Sequence, residues 1–387
     1  MIFLKKGIKI LAFSLCVILL FPLASVAQSV PAVTGEMGEL PCKSAVLMDA
    51  VTGEILYEQN ADEALPPASV TKVMTLLLVM EALDAQRIGL SDMVRVSANA
   101  ASMGGSQVFL EEGEMMSVEE MLKCVIIASA NDCAVALAEL VSGSEESFVA
   151  AMNARAAELG MKSTHFENTN GLDDTAKEHV TSARDIAIMS RELIAHPKIL
   201  EYSGIWMDTI RNGEFGLTNT NRLVRYYPGC TGLKTGSTAK AGFCISATAQ
   251  REQTSLICVI MGAETRDSRN VSAAKLLDYG FANYETYDAA EGEREIAVMG
   301  SDIESALVNW PALSVTVPKG KASRVCVSYE LPSCLQAPLQ EGECVGEVVY
   351  SLDGKEIGRV GAVVVCDVPE IGFWGVFRKL LSGFLLL

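Results

Sequence analysis

The chain has 387 residues, half of them hydrophobic, with 12 prolines and 31 glycines, enough to bury a sizeable core in two domains and too apolar to be disordered. Its formal charge of −17 argues against nucleic-acid binding, which needs a basic surface to neutralise phosphates. His165, His179 and His196 show no metal-ligand spacing and the eleven cysteines include no Cys-x-x-Cys pair, so no metal is expected.

At the start, Lys5, Lys6 and Lys9 precede an apolar run from Ile10 to Leu23 and then Ala24-Ser25-Val26-Ala27. A basic segment, a short apolar stretch and a small-x-small site predict an export signal over residues 1–27, cleaved after Ala27; an uncleaved membrane helix is the alternative. Leu15 before Cys16 argues against lipidation. Cleavage removes the three lysines and takes the charge from −17 to −20. Export permits disulfides, yet Cys124, Cys133, Cys244, Cys258 and Cys366 lie in apolar runs, where a free cysteine behaves as a small hydrophobe.

From Ser44 to Glu58 the pattern predicts a hairpin turning at Thr52-Gly53. Pro66-Pro67-Ala68 then leads into SVTKVMTLLLVMEALDA, a run without Gly or Pro that predicts a largely buried helix beginning near Ser69. SVEEMLKCVIIA, opened by a Ser117-x-x-Glu120 capping box, and DCAVALAELV predict two helices with a short loop between them. Asn168 to Asp173 reads as a loop, and Thr181 to Asp185 opens a further helix. AGFCISATAQ and TSLICVIMGA form an antiparallel hairpin, and Ser272 to Tyr284 is helical. Beyond Glu285 short β-patterned runs, with a hairpin turn at Asp353-Gly354, predict a small all-β domain over residues 292–367.

Three motifs carry chemistry. On a helix Ser69 and Lys72 share a face, so the amine can activate a hydroxyl that is a poor nucleophile by itself. Ser129 and Asn131 fall in the loop between two buried helices, a rigid place to hold polar groups. Lys234-Thr235-Gly236, followed by an apolar strand, offers a cation, a hydroxyl donor for a carboxylate, and a residue small enough to let substrate reach the backbone. Each motif alone is weak. Ser-x-x-Lys recurs at Ser237 to Lys240 and Ser272 to Lys275, and Ser-x-Asn recurs at Ser97 to Asn99 and Ser268 to Asn270. Ser69 is preferred because it opens an apolar helix, whose terminal N–H groups can serve an oxyanion.

The tail IGFWGVFRKLLSGFLLL puts Phe373, Trp374, Val376, Phe377, Leu380, Leu381, Phe384, Leu385 and Leu387 on one half of a helical wheel. Gly372, Gly375, Arg378, Lys379, Ser382 and Gly383 fall on the other half, with Ile371 and Leu386 as exceptions. Residues 368–387 are therefore read as an amphipathic anchor for the membrane interface, the alternative being a helix docked on its own β domain.

With the motifs in this order, the chain resembles the D-alanyl-D-alanine carboxypeptidases, low-molecular-mass penicillin-binding proteins that share the Ser-x-x-Lys, Ser-x-Asn and Lys-Thr-Gly trio with β-lactamases. Asn219-Thr220-Asn221-x-Leu223, Ala241-Gly242-Phe243, Thr181 to Asp185, the β domain and the tail extend the resemblance. It departs where members often have histidine: here Asn170 precedes Gly-Leu-Asp and Ser237 follows Lys-Thr-Gly. The resemblance implies an α+β fold: a catalytic domain over 28–285, with an antiparallel sheet sandwiched by helices, then the small β domain and the amphipathic helix. It implies Ser69 as nucleophile toward peptidoglycan stem peptides and β-lactams, Lys72 as base, and Ser129 and Asn131 in the hydrogen-bond network. Lys234 lowers the Lys72 pKa, the N–H groups of Ser69 and Ser237 form the oxyanion hole, and Thr235 and Arg269 take the terminal carboxylate. No cofactor is implied, and the expected location is the outer face of the cytoplasmic membrane.

A β-lactamase uses the same nucleophile but needs neither β domain nor tail, and no deacylating glutamate is evident. Cleavage of D-alanyl cross-links needs only a wider cleft. A silent β-lactam sensor or wall-binding module is disfavoured by the complete set of reactive side chains.

Overall fold

The computed structural model describes residues 37–173 and 176–385. The predicted export signal and its predicted cleavage after Ala27 lie outside the described residues. A five-stranded antiparallel sheet organises the larger part of the chain, built from β1 (Ser44–Asp49), β2 (Ile55–Gln59), β3 (Cys230–Thr238), β4 (Gly242–Arg251) and β5 (Thr254–Ala263) in the order β2-β1-β5-β4-β3. Side chains alternate across the sheet, and both faces are covered, so the central strands β1, β4 and β5 read as largely apolar runs while the edge strands β2 and β3 do not. Val46, Met48, Ile257, Val259 and Met261 face a helical lobe, while Ala45, Leu47, Leu256, Cys258 and Ile260 join the core on the opposite face.

The lobe contains α1 (Lys72–Asp84), α2 (Val118–Lys123), α3 (Asn131–Ser142), α4 (Glu145–Glu158) and α5 (Ala183–Ile194). Helix α1 is apolar on all sides and buried along almost its whole length, as its sequence predicts. The capping box expected before α2 is half made. Ser117 Oγ accepts from the Glu120 N–H at 3.2 Å, but the Glu120 carboxylate reaches back to the Ser117 hydroxyl at 3.2 Å and not to its backbone N–H, its other oxygen accepting from the Arg211 N–H at 3.1 Å.

Helix α6 (Arg266–Asn283) covers the opposite face of the sheet. It begins six residues before the expected Ser272, because Thr265 and Ser268 form a reciprocal cap and the first two turns are too polar to show apolar periodicity. Tyr284 is not helical but opens β6 (Tyr284–Ala289).

The β-patterned region forms β7 (Gly292–Met299), β8 (Ser305–Trp310), β9 (Leu313–Pro318), β10 (Val325–Glu330), β11 (Cys334–Gln336), β12 (Cys344–Leu352) and β13 (Lys355–Val364). Strands β6 and β9 make a two-stranded ribbon, and the rest form one sheet in the order β10-β12-β13-β8-β7-β11 around Val308, Trp310, Val348, Tyr350 and Val364. The ribbon is fastened to the larger sheet through buried Asp49. Its Oδ1 caps the β1–β2 turn by accepting from the Val51 and Thr52 N–H groups, and its Oδ2 accepts from the hydroxyls of Thr286 at 3.2 Å and Thr316 at 3.1 Å. All ten described cysteines are unpaired. Cys366 is exposed rather than buried as expected, because the chain leaves the sheet after Val364.

Helix α7 (Phe373–Leu385) meets the β domain with its polar side. Gly375 is buried against Asp302, and Lys379 Nζ donates to the Ser301 carbonyl at 2.7 Å. Phe373, Trp374, Phe377, Leu380 and Leu381 remain exposed. Among the described residues no helix is long and apolar enough to cross a membrane.

Candidate active site

Ser69 stands on a single 3-10 turn, Ala68–Thr71, that runs directly into α1, of which Lys72 is the first residue. Lys72 Nζ lies 2.8 Å from Ser69 Oγ, and its other partners are Asn131 Oδ1 at 2.6 Å and the Asn170 carbonyl at 2.8 Å. The amine has no exposed surface. Burial holds its pKa well below the ordinary lysine value, the charge of Lys234 pushes the same way, and the Asp132 carboxylate opposes them. A neutral amine has two N–H groups and one lone pair. Asn131 Oδ1 and the Asn170 carbonyl can only accept, so they consume both N–H groups and leave the lone pair for the Ser69 hydroxyl proton.

The second motif is placed by a local irregularity. Helix α2 widens into a π turn over Cys124–Ala128, Ser129 adopts a left-handed backbone at φ +65°, and Asn131 opens α3. The predicted loop is thus only Ser129 and Ala130. Asn131 Nδ2 donates to the Gly104 carbonyl at 2.7 Å, which fixes its Oδ1 toward Lys72. Beside it the buried Asp132 carboxylate accepts from the N–H groups of Val108, Leu110 and Cys133 at 3.0, 3.1 and 2.9 Å, pinning the loop at one side of the cleft.

The third motif lies on β3, the edge strand of the sheet. Lys234 is fully buried and donates to Ser129 Oγ at 2.8 Å and to the Thr235 carbonyl at 2.9 Å. Burial, then the nearby Arg269 guanidinium, lower its pKa to about 7. Thr235 Oγ1 donates to Thr220 Oγ1 at 2.8 Å. Gly236 packs against the serine turn so closely that a Cβ there would sit 2.7 Å from the Ser69 nitrogen and 2.9 Å from the Pro67 carbonyl oxygen. Arg269, on α6, is 3 % exposed and so is not a solvated surface charge. Its guanidinium donates to Asn270 Oδ1 at 2.9 Å, and burial lowers its pKa to about 10.

Ser69, Ser129, Thr235, Gly236, Ser237 and Arg269 line a cleft of about 590 Å³, with Lys72, Asn131 and Lys234 joined to it by the hydrogen bonds above. A larger open groove of about 960 Å³, running past Leu83, Ile88 and Lys198, holds none of these groups. Of the competing motifs, Ser272 is buried within α6 with an unpartnered hydroxyl and Ser97 caps the short helix Ala98–Ala101, whereas Ser237 lies in the cleft lining itself, at the end of β3. Trp206, Arg222, Tyr226 and Arg266 also line the cleft without having been singled out from sequence. No motif marks them, and neither does any mark the Asn170 carbonyl, since a backbone group carries no residue signature.

Residues 28–265 match the D-alanyl-D-alanine carboxypeptidase family, and residues 298–370 match the C-terminal domain of penicillin-binding protein 5. The chain belongs to this carboxypeptidase family of serine peptidases and is a D-alanyl-D-alanine carboxypeptidase by activity. It is similar to the Bacillus subtilis D-alanyl-D-alanine carboxypeptidase DacF, 41% identical over 348 residues that span 88% of this chain and 89% of the relative. The crystal structure of Haemophilus influenzae penicillin-binding protein 5 matches 87% of this chain and all of that one, with a TM-score of 0.78 and 36% identity. Penicillin-binding protein D2 of Listeria monocytogenes, solved in a cefotaxime-bound form, matches 64% of this chain and all of that one, with a TM-score of 0.59 and 32% identity.

Gly236 supplies a direct test of how closely the sheet edge supports the serine turn. Gly236→Ala forces the turn away by a sizeable fraction of an ångström, and D-alanine release from a pentapeptide is expected to fall on the order of a hundredfold. A steady-state assay in which the variant retains more than a third of the activity disproves the tight fit.

Proposed function

We propose that Ser69 is the nucleophile that opens the bond between the two terminal D-alanines of a peptidoglycan stem, forming an acyl-enzyme that water then hydrolyses. The observation that carries this reading is the orientation of the Lys72 amine, with both N–H groups engaged by acceptors and its lone pair left for the Ser69 proton. Ser129, bridging to Lys234, relays the proton onward to the leaving D-alanine, and Asn131 holds the substrate amide. The N–H groups of Ser69 and Ser237 face the developing oxyanion, while Thr235 and Arg269 take the terminal carboxylate. β-Lactams acylate the same serine. The reading is tested by fluorescent penicillin: the adduct maps to Ser69, and Ser69→Ala abolishes labelling while the protein stays folded. An adduct at Ser237 or Ser272 refutes it. Defined muropeptides, with free D-alanine measured against cleaved cross-link, decide whether the cleft also accepts cross-linked stems.

The lysine pair gives this chemistry a definite pH profile. Acylation needs Lys72 neutral and Lys234 charged. The acid limb of kcat/KM therefore follows Lys72, whose pKa is held far down, and the basic limb follows Lys234 near pH 7. Lys234→Gln removes a like charge, so Lys72 keeps its proton to higher pH: the acid limb moves up, the basic limb disappears, and the rate falls at every pH. Lys234→Arg keeps the charge, so the acid limb stays while the basic limb is lost. An unmoved acid limb in the glutamine variant assigns the lowered Lys72 pKa to burial alone.

Export to the outer face of the cytoplasmic membrane, with attachment through α7, completes the reading. The apolar side of α7 is exposed and rich in aromatics, while Gly375 and Lys379 occupy the side toward the β domain, which supports insertion at a membrane interface over docking on that domain. Removing residues 371–387 is expected to shift the enzyme from the membrane to the soluble fraction with its D-alanine release unchanged. A full-length protein that is soluble from the outset ends this part of the proposal.

A further inference from the structure

Behind the serine turn lies a buried hydrogen-bond chain that none of the three motifs contains. His179 is 5 % exposed, and its Nδ1 accepts from the Glu167 N–H at 3.0 Å. Burial lowers its pKa to about 4, so at neutral pH the ring carries one proton, and with Nδ1 accepting, that proton is on Nε2. Nε2 lies 2.7 Å from Thr71 Oγ1, and the Thr71 hydroxyl donates in turn to the Ala68 carbonyl at 2.8 Å. The donors therefore run one way, from Glu167 through His179 and Thr71 to Ala68.

The end of that chain matters because the Ala68 carbonyl and the Ser69 N–H belong to one planar peptide. Ala68 holds a left-handed backbone at φ +49°, an uncommon conformation for a residue with a Cβ, which needs support from its surroundings. Gly171 presses on the carbonyl side, where a Cβ would come 1.9 Å from the Ala68 oxygen, and Gly236 lies on the nitrogen side. The peptide is thus clamped with its carbonyl toward Thr71, and because it is trans its N–H points the opposite way, away from Thr71. A hydrogen bond accepted by an amide carbonyl also polarises the amide, which makes its N–H a stronger donor.

We infer that His179 and Thr71 are positioning residues which, through the Ala68 carbonyl, orient and strengthen the Ser69 N–H as an oxyanion donor. A threonine in a first helical turn often bonds back to a carbonyl three residues earlier, but here the hydroxyl is also fixed by a buried imidazole of defined tautomer, so it cannot rotate away. The inference rests on the reading of Ser69 as nucleophile.

The test uses full-length protein and benzylpenicillin with a ¹³C-labelled β-lactam carbonyl. Thr71→Val keeps the side-chain shape and removes the donor; acylation is expected to slow about tenfold, less than the hundredfold or more seen when an oxyanion donor is lost outright. Thr71→Ser stays within about twofold of wild type because the hydroxyl is retained. The infrared band of the acyl-enzyme carbonyl moves to higher wavenumber in Thr71→Val, since a weaker oxyanion hole polarises the carbonyl less. His179→Leu gives the same shift, and the double variant is no slower than the slower single one, because both act through one link. Thr71→Val carries the test even where the histidine replacement lowers stability. A wild-type adduct away from Ser69 removes the premise, whereas an adduct on Ser69 whose carbonyl band is unmoved by Thr71→Val overturns the relay alone.

Discussion

Two lysines buried side by side in one cleft are the constraint on which the rest of the site depends. Taking an ammonium out of water costs several kcal/mol even after relaxation. The cost is met differently at each position. Lys72 is surrounded by Asn131 Oδ1, the Asn170 carbonyl and the Ser69 hydroxyl, partners that satisfy a neutral amine completely and supply no counter-charge in direct contact. The nearest charges oppose each other, Lys234 against Asp132, whose carboxylate is already occupied by three backbone N–H groups. Burial is left as the dominant influence, and it favours the form that is a base.

Holding two amines there requires atoms from well-separated parts of the chain, and each is delivered by a local departure from regular structure. The π turn before Ser129 and its left-handed backbone carry its hydroxyl to Lys234; a continuous α-helix through residues 118–142 would place Ser129 and Asn131 without regard to either lysine. The loop around Asn170 approaches α1 closely only because Gly171 has no Cβ, and β3 approaches the serine turn only because Gly236 has none. Such closeness works against ordinary packing preferences at each point. It is sustained by the large apolar cores on both faces of the sheet.

Much of this was legible in the chain, and the reasons are specific. Ser69 could be chosen over Ser237 and Ser272 because only it precedes a long run of helix formers free of Gly and Pro, and burial of nearly all of α1 follows from the same run. Four strands of the main sheet were visible as the hairpin from Ser44 to Glu58 and the paired runs AGFCISATAQ and TSLICVIMGA, whereas β3 is polar and was marked only by its Lys-Thr-Gly motif. What escaped was of three kinds. Backbone groups such as the Asn170 carbonyl act irrespective of their side chain. Polar helix starts, as in α6, carry no apolar period, so Arg269 could be placed near the cleft by resemblance but not on a helix. Long-range partners such as Thr220 with Thr235, or His179 with Thr71, meet only through the fold, and His179 in particular reads in sequence as one more unassigned histidine.

The charge of the chain and the charge of the cleft have opposite signs, and the difference decides what reaches the serine. A net charge of −17 spread over the surface is screened beyond about 8 Å at physiological salt, so it acts weakly on a small anion approaching through solvent. Inside the cleft the solvent is thinned and screening is weaker. There Arg222 and Arg266 stand at the lining and Arg269 is buried beside Lys234, near enough that each guanidinium lowers the pKa of its neighbour. Cations that destabilise one another are stabilised together by an anion. A carboxylate bound beside Thr235, as proposed above, would relieve that repulsion and hold the proton on Lys234; its own charge then offsets the added proton, so Lys72 stays neutral through burial. The clustered cations therefore favour an anionic chain end over a neutral peptide of equal shape, while the basicity of Lys72 is set by its burial and does not depend on what binds.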